Sequence, residues 1–323
     1  MGTDQAIQDL DLLRQALHHD KLNYLGWSYG TQFGTEYAEK FPDKVGRMVL
    51  DGVYDRHLSL ETYLSTGAVG SETTLDDFFR WCNTTTDCAL YGRDQAAIWD
   101  GVAEATDAGT LRAQSCAGVP CANNGIVAPW QFRGLLYSLL HDYDAPSGVH
   151  SWYRYAEGLE AAFDSGNGSY FASPPTTANS SALYPQIIIL CSDRDSRQFT
   201  FDDFRNFYTL APVWAPHTLG YSFAQQTVAL CSGWPVDSTN PPHDLDPQRM
   251  SELPPVMMVN SFYDPATVSP WGLGMRSQVP TAFSIYRNGG GHTSWALNGD
   301  TTKAINAFLV DGTIPADGTV YQT

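Results

Sequence analysis

Gly26-Trp27-Ser28-Tyr29-Gly30 is a G-x-S-x-G string, and the chemistry it offers is nucleophilic attack by a serine. The serine stands on a sharp strand-to-helix turn whose neighbours must be small because the two chain segments pass so closely. A serine hydroxyl is a weak nucleophile at neutral pH and needs a base and a carboxylate to orient that base. His292, in Asn288-Gly289-Gly290-Gly291-His292-Thr293-Ser294, and Asp264, in Asn260-Ser261-Phe262-Tyr263-Asp264-Pro265, supply both. They follow Ser28 in the order Ser, Asp, His. The Tyr29 backbone N–H points to where an oxyanion would form. Taken one at a time, the three sites also read as a glycine-rich turn, an Asx cap before Pro265 and a polar loop residue. Asp51 is the rival for the acid role. Asp264 is favoured because its loop precedes the strand that leads to the histidine.

The elements that must position these residues are legible as hydrophobic periodicity. Residues 4–17 carry apolar side chains at helical spacing and predict a surface helix. Residues 22–27 predict a short strand, and Tyr29, Phe33, Tyr37 and Phe41 recur every four residues until Pro42 stops the pattern. Residues 45–53 predict a second strand, which makes a β-α-β unit of the parallel-sheet kind. Between about residues 55 and 254 the pattern turns helical, for example over 130–140 and 149–163, with loops holding the cysteines. The β/α rhythm returns with strands at 256–260 and 282–286 and helices at 269–277 and 301–309. Three segments result: residues 1–54 with the serine, a mostly helical lid at 55–254, and residues 255–323 with the acid and the histidine. Each candidate then lies just past the C-terminal end of a parallel strand, the edge on which α/β sheets build their sites.

Composition narrows the function classes. The 323 residues carry a formal net charge of −17, which argues against nucleic acid and anionic membranes as partners. Apolar residues make up 43% of the chain, enough for a sizeable core, and no run reaches the ~18 residues of a membrane-spanning helix. The six cysteines, Cys82, Cys88, Cys116, Cys121, Cys191 and Cys231, allow fifteen pairings. Cys82 with Cys88 and Cys116 with Cys121 are local candidates that leave Cys191 with Cys231. Zinc is the competing reading, but the chain has no C-x-x-C knuckle or trailing histidine pattern, and no metal is expected. Disulfides and the sequons at Asn83, Asn167 and Asn179 together predict an extracellular, secreted protein. Residues 1–4 do not open a signal peptide. The remaining histidines, including His57, His141, His150, His217 and His243, show no partner pattern and read as structural or surface groups.

At these motifs the sequence resembles the α/β-hydrolases, and more closely the secreted tripeptidyl and prolyl aminopeptidase group of serine peptidases. Residues 9–17, 21–31 and 41–52 are similar to that group's nucleophile region, and Cys231-Ser232-Gly233-Trp234-Pro235 and residues 303–315 to its C-terminal part. The resemblance implies an α/β-hydrolase core with a large helical lid, Ser28 as nucleophile, His292 as base, Asp264 as its orienting acid, and no cofactor. The substrate would be a peptide with a free N-terminus, whose α-ammonium Asp193 or Asp195 would hold. A carboxylesterase or lipase would use the same triad, and a catalytically silent binding scaffold is the reading from another class. Tryptophans 81, 99, 130, 152, 214 and 234 of the lid would narrow the cleft. Two departures stand out. The group's cysteine pair near Thr302 and Tyr321 is absent, and so is the upstream His-Gly-Gly-Pro-Gly type loop that supplies a second oxyanion donor. The chain therefore reads as the C-terminal portion of a longer hydrolase, whose N-terminal strands are missing and whose missing half is a candidate partner.

Overall fold

The computed structural model describes residues 2–116, 121–139, 152–172, 183–194 and 199–322. Val45–Asp51 and Val256–Tyr263 are almost continuously buried runs rich in Val, Met and Leu. Such runs suit strands covered on both faces, and parallel sheets are built from them. They form β2 and β3 of a five-stranded parallel sheet, with β1 (Leu22–Trp27), β4 (Ala282–Gly290) and β5 (Thr319–Gln322) in the order β1-β2-β3-β4-β5. The register sets Trp27 beside Asp51 and Asp51 beside Val259, so the C-terminal ends of β1, β2 and β3 share one rim.

Alternate side chains of each strand feed opposite layers. Met48, Leu50, Val256 and Met258 pack against α1 (Thr3–Ala16), α2 (Tyr29–Lys40) and α11 (Ser269–Ser277), while Val49, Met257 and Val259 pack against α12 (Asp300–Asp311). The first helix is more than a surface helix. Ile7 is buried, as are Asp11 and Arg14, which pair at 2.8 Å, and Tyr37 donates to Asp11 at 2.9 Å.

Among the described residues, seven helices lie between β2 and residue 232: α3 (Leu60–Thr84), α4 (Gln95–Asp107), α5 (Pro129–Leu139), α6 (Trp152–Ser165), α7 (Leu183–Asp193), α8 (Phe201–Trp214) and α9 (Phe223–Cys231). A short α10 (Pro247–Ser251) precedes β3. The helical layer has its own aromatic core, in which Phe78, Trp99, Phe132, Trp152, Tyr155 and Phe171 are buried. Trp99 and Trp152 thus belong to that core and do not border a cleft, because their large apolar surfaces are worth more inside. Helix α3 tolerates Gly67 and Gly70 because neighbours press on them: a Cβ at Gly67 would lie 2.6 Å from Ala224, and one at Gly70 1.9 Å from Val268.

Cys82–Cys88, Cys116–Cys121 and Cys191–Cys231 are disulfides. Three of these cysteines sit in α3, α7 and α9, whereas the sequence pattern puts all six in loops. Cys191–Cys231 closes a 40-residue segment and staples α7 to α9. Among the described residues no helix is long and apolar enough to cross a membrane.

Candidate active site

The turn after β1 is built by what glycine leaves out. A Cβ on Gly26 would lie 2.4 Å from the Gly30 carbonyl oxygen and 2.6 Å from the Tyr24 ring, and Tyr24 donates its hydroxyl to that same carbonyl at 2.7 Å. The chain reverses at Ser28 with φ 54° and ψ −123°, a conformation that a non-glycine residue adopts only where its surroundings over-determine it. Here they do. Ser28 N–H donates to the Asp51 carbonyl at 3.0 Å, and its own carbonyl accepts from the Thr31 N–H at 2.8 Å and hydroxyl at 2.6 Å. Tyr29 opens α2, so its N–H is a helix-start donor that no carbonyl within the helix satisfies.

Asp264 lies one residue beyond β3 and is 1% exposed. Its Oδ1 accepts from the Ala266 and Thr267 N–H groups at 2.8 and 2.9 Å, and its Oδ2 from the Thr267 hydroxyl at 2.8 Å. The Asx turn expected before Pro265 is therefore present, and it serves to aim the carboxylate. His292 Nδ1 stands 3.0 Å from Oδ1 and 2.9 Å from Oδ2 of Asp264. Burial would raise Asp264, but the charge and hydrogen bond of His292 and the two backbone donors overcome it and hold the acid below the usual carboxylate range. Burial would lower His292, and the Asp264 carboxylate, with a further contribution from Asp51, raises it above the ordinary imidazole value.

The structure brings Asp264 and His292 into direct contact, and it ties the Ser28 backbone to Asp51, whose neighbour Gly52 lies against His292. Gly52 has φ +71°, and a Cβ there would lie 2.9 Å from the Thr267 hydroxyl and 3.4 Å from His292 Cε1. Of the two candidate carboxylates, the imidazole Nδ1 faces Asp264, while Asp51 Oδ2 accepts from the Ser294 and Trp295 N–H groups. Arg287, fully buried in β4, donates to the carbonyls of Gly290, Gly291 and Thr293. Trp152 of α6 lies against the same loop, since a Cβ on Gly290 would meet its ring at 2.6 Å.

Asp193, the candidate for a substrate's ammonium group, is 5% exposed, and its carboxylate is already engaged by Thr3, Gln32 and Asn240. It ties α7 to the start of α1 and to α2, inside the fold. Asp195 and Asn179 lie outside the described residues, as do His141 and His150. Asn83 is exposed on the last turn of α3, and Asn167 is half-buried beyond α6. His57, His217 and His243 each have a carboxylate partner, Asp55, Asp100 and Glu39, two of them more than 100 residues away in sequence, which is why spacing does not reveal them.

Sequence reasoning also missed Thr267 and Arg287. The signal for Arg287 is a lone charge inside an apolar strand pattern. A largely apolar cavity of about 590 Å³ opens between the helical layer and α11, lined among others by Thr66, Val69, Trp214, Phe262, Leu273 and Asp264.

Comparison with known proteins agrees with this fold. The family model described as alpha/beta hydrolase fold matches residues 1–115, and the one described as TAP-like protein matches residues 216–321. The chain is 28% identical to serine protease Hip1 of Mycobacterium tuberculosis over 98% of its own length and 61% of that protein. It is 29% identical to a tripeptidyl aminopeptidase of Streptomyces lividans over 83% of its length and 48% of that protein. It is 28% identical to carboxylesterase B of Mycobacterium tuberculosis over 98% of its length and 59% of that protein. The chain thus spans about half to three fifths of the length of these relatives.

Proposed function

We propose that this chain, which belongs to the α/β-hydrolases of the TAP-like group, carries the catalytic triad of a secreted serine exopeptidase that releases short peptides or residues from free N-termini. The observation that carries the reading is the buried Asp264–His292 pair on the rim where Ser28 is held in its turn with φ 54°. With Nδ1 facing Asp264, Nε2 is the nitrogen that takes the Ser28 proton as Oγ attacks the scissile carbonyl. The Tyr29 N–H receives the developing oxyanion. His292 then returns the proton to the departing amine, leaving an acyl-enzyme, and water repeats the cycle. Secretion is supported by the three disulfides. The outer side of β1, at the edge of the sheet, is where a further strand-bearing segment of a longer hydrolase would pair.

Labelling by a fluorophosphonate tests the triad and is expected to vanish in Ser28→Ala. A folded wild-type chain that takes no label would favour the silent binding scaffold. The exopeptidase mode predicts that a tripeptidyl amide with a free N-terminus is cleaved and its N-blocked twin is not. The likeness to a carboxylesterase favours a second reading, in which a simple acyl ester is turned over and neither amide is.

A further inference from the structure

The buried carboxylate at the end of β2 has no part in the proton transfers just described, yet it touches both halves of the site. The Asp51 carbonyl accepts the Ser28 N–H at 3.0 Å. Its Oδ2 accepts the N–H groups of Ser294 and Trp295 at 2.9 and 2.8 Å, two and three residues beyond His292. The side chain is fully buried, and its Oδ1 accepts no hydrogen bond among the described residues. We propose that Asp51 is a positioning residue, which fixes the distance between nucleophile and base by gripping Ser28 through its main chain and the His292 loop through its carboxylate.

The loop is held by opposite charges on its two kinds of backbone group. Arg287 gathers the carbonyls of Gly290, Gly291 and Thr293, and its Nε reaches the Ser294 hydroxyl at 3.2 Å. Asp51 gathers the N–H groups on the far side of His292. A cation can only take carbonyls and an anion can only take N–H groups, so the pair fixes both the place and the rotation of the loop. Neutral side chains would hold it less firmly, because charge-assisted bonds are about twice as strong. Three charged groups therefore surround the imidazole, Asp264 at Nδ1, Asp51 and Arg287, and of the two carboxylates only Asp264 bonds the ring.

This inference rests on Ser28 and His292 reacting as proposed, so it is tested with two readouts. The first is the rate of fluorophosphonate labelling against pH. Asp51→Asn keeps an acceptor for the loop but loses the charge. Labelling should slow roughly ten- to hundredfold, because a small misplacement of base from nucleophile is enough for that loss. The rising limb of the profile should move to lower pH by about one unit, since a nearby anion no longer favours the imidazolium. Asp51→Glu should bring the limb back while labelling stays slow, because the charge returns on a longer arm. The second readout is the His292 imidazole titration followed by proton NMR. It should show the same downward shift in Asp51→Asn even if the wild-type chain takes no label, an outcome that would defeat the triad reading and not this one. If Asp51→Asn does not fold, Asp51→Glu alone decides by its labelling rate. Unchanged labelling together with an unchanged His292 titration in a folded variant would overturn the proposal.

Discussion

Two carboxylate–imidazole pairs stand beyond the strand ends, Asp264 with His292 after β3 and Asp55 with His57 after β2, and both carboxylates are shut away from solvent. Their carboxyls are shifted in opposite directions. Asp264 receives the N–H groups of Ala266, Thr267 and Thr293 and the Thr267 hydroxyl besides the imidazole, and stays below the usual carboxylate range. For Asp55, burial wins over the pull of His57 and pushes it up to about 6; its Oδ2 accepts no hydrogen bond among the described residues and is pressed towards Gly274. A neighbouring histidine alone thus does not hold a buried carboxylate in its ordinary range; at Asp264 the imidazole acts together with hydrogen-bond donors that replace lost water.

The largest effect expected from this contrast is on the chemistry. Asp264→Asn should slow fluorophosphonate labelling about a thousandfold or more, since the histidine loses its orienting anion. Asp55→Asn should leave the labelling rate within about threefold, and equal losses in the two variants would erase the distinction.

Stability against pH should separate the pairs next. A carboxyl whose folded pKa lies above its unfolded value stabilises fully below the unfolded value, and that contribution is lost as pH rises through the folded one. For Asp55 this window runs from 3.8 to about 6, and the loss is about 3 kcal/mol. Asp55→Asn should therefore gain about that much on the wild type between pH 4 and pH 7, as read by urea denaturation. Asp264 works in the opposite sense: its contribution is present above 3.8 and fades as pH falls below it.

Two glycines sharpen the contrast further. Alanine at Gly274 would set its Cβ 2.3 Å from Asp55 Oδ2, so Gly274→Ala should cost about 1–3 kcal/mol of stability with labelling kept in the folded fraction. Gly52→Ala, at φ +71° and beside Thr267 and His292, should lower labelling as well as stability. The smallest effect belongs to Thr267→Val, which removes one hydroxyl donor from Asp264. A loss of about 1 kcal/mol and a several-fold slower label are expected, with the acid limb of stability moved to higher pH.

Much of this arrangement can be read from the chain. Strong periodicity places β1, α2, β2, β3 and α11 within a few residues of their observed bounds, and the order of Ser28, Asp264 and His292 identifies the loops that meet. The closing strand β5 escapes notice because it is four residues long and only every second one is even half-buried. The extent of α3 is hidden by glycines whose purpose lies in α9 and in Val268, far along the chain. The same holds for charges that act on backbone groups. Nothing next to Asp51 or Arg287 in sequence announces the loop they hold, because their partners are peptide units that every residue possesses.

The Trp152 ring against Gly290 joins the aromatic interior of the helical layer to the segment that bears the imidazole. A small molecule that wedged α6 away from the rim would loosen that segment from behind. It would silence the hydroxyl at position 28 without ever approaching it, and a competing substrate would not displace it.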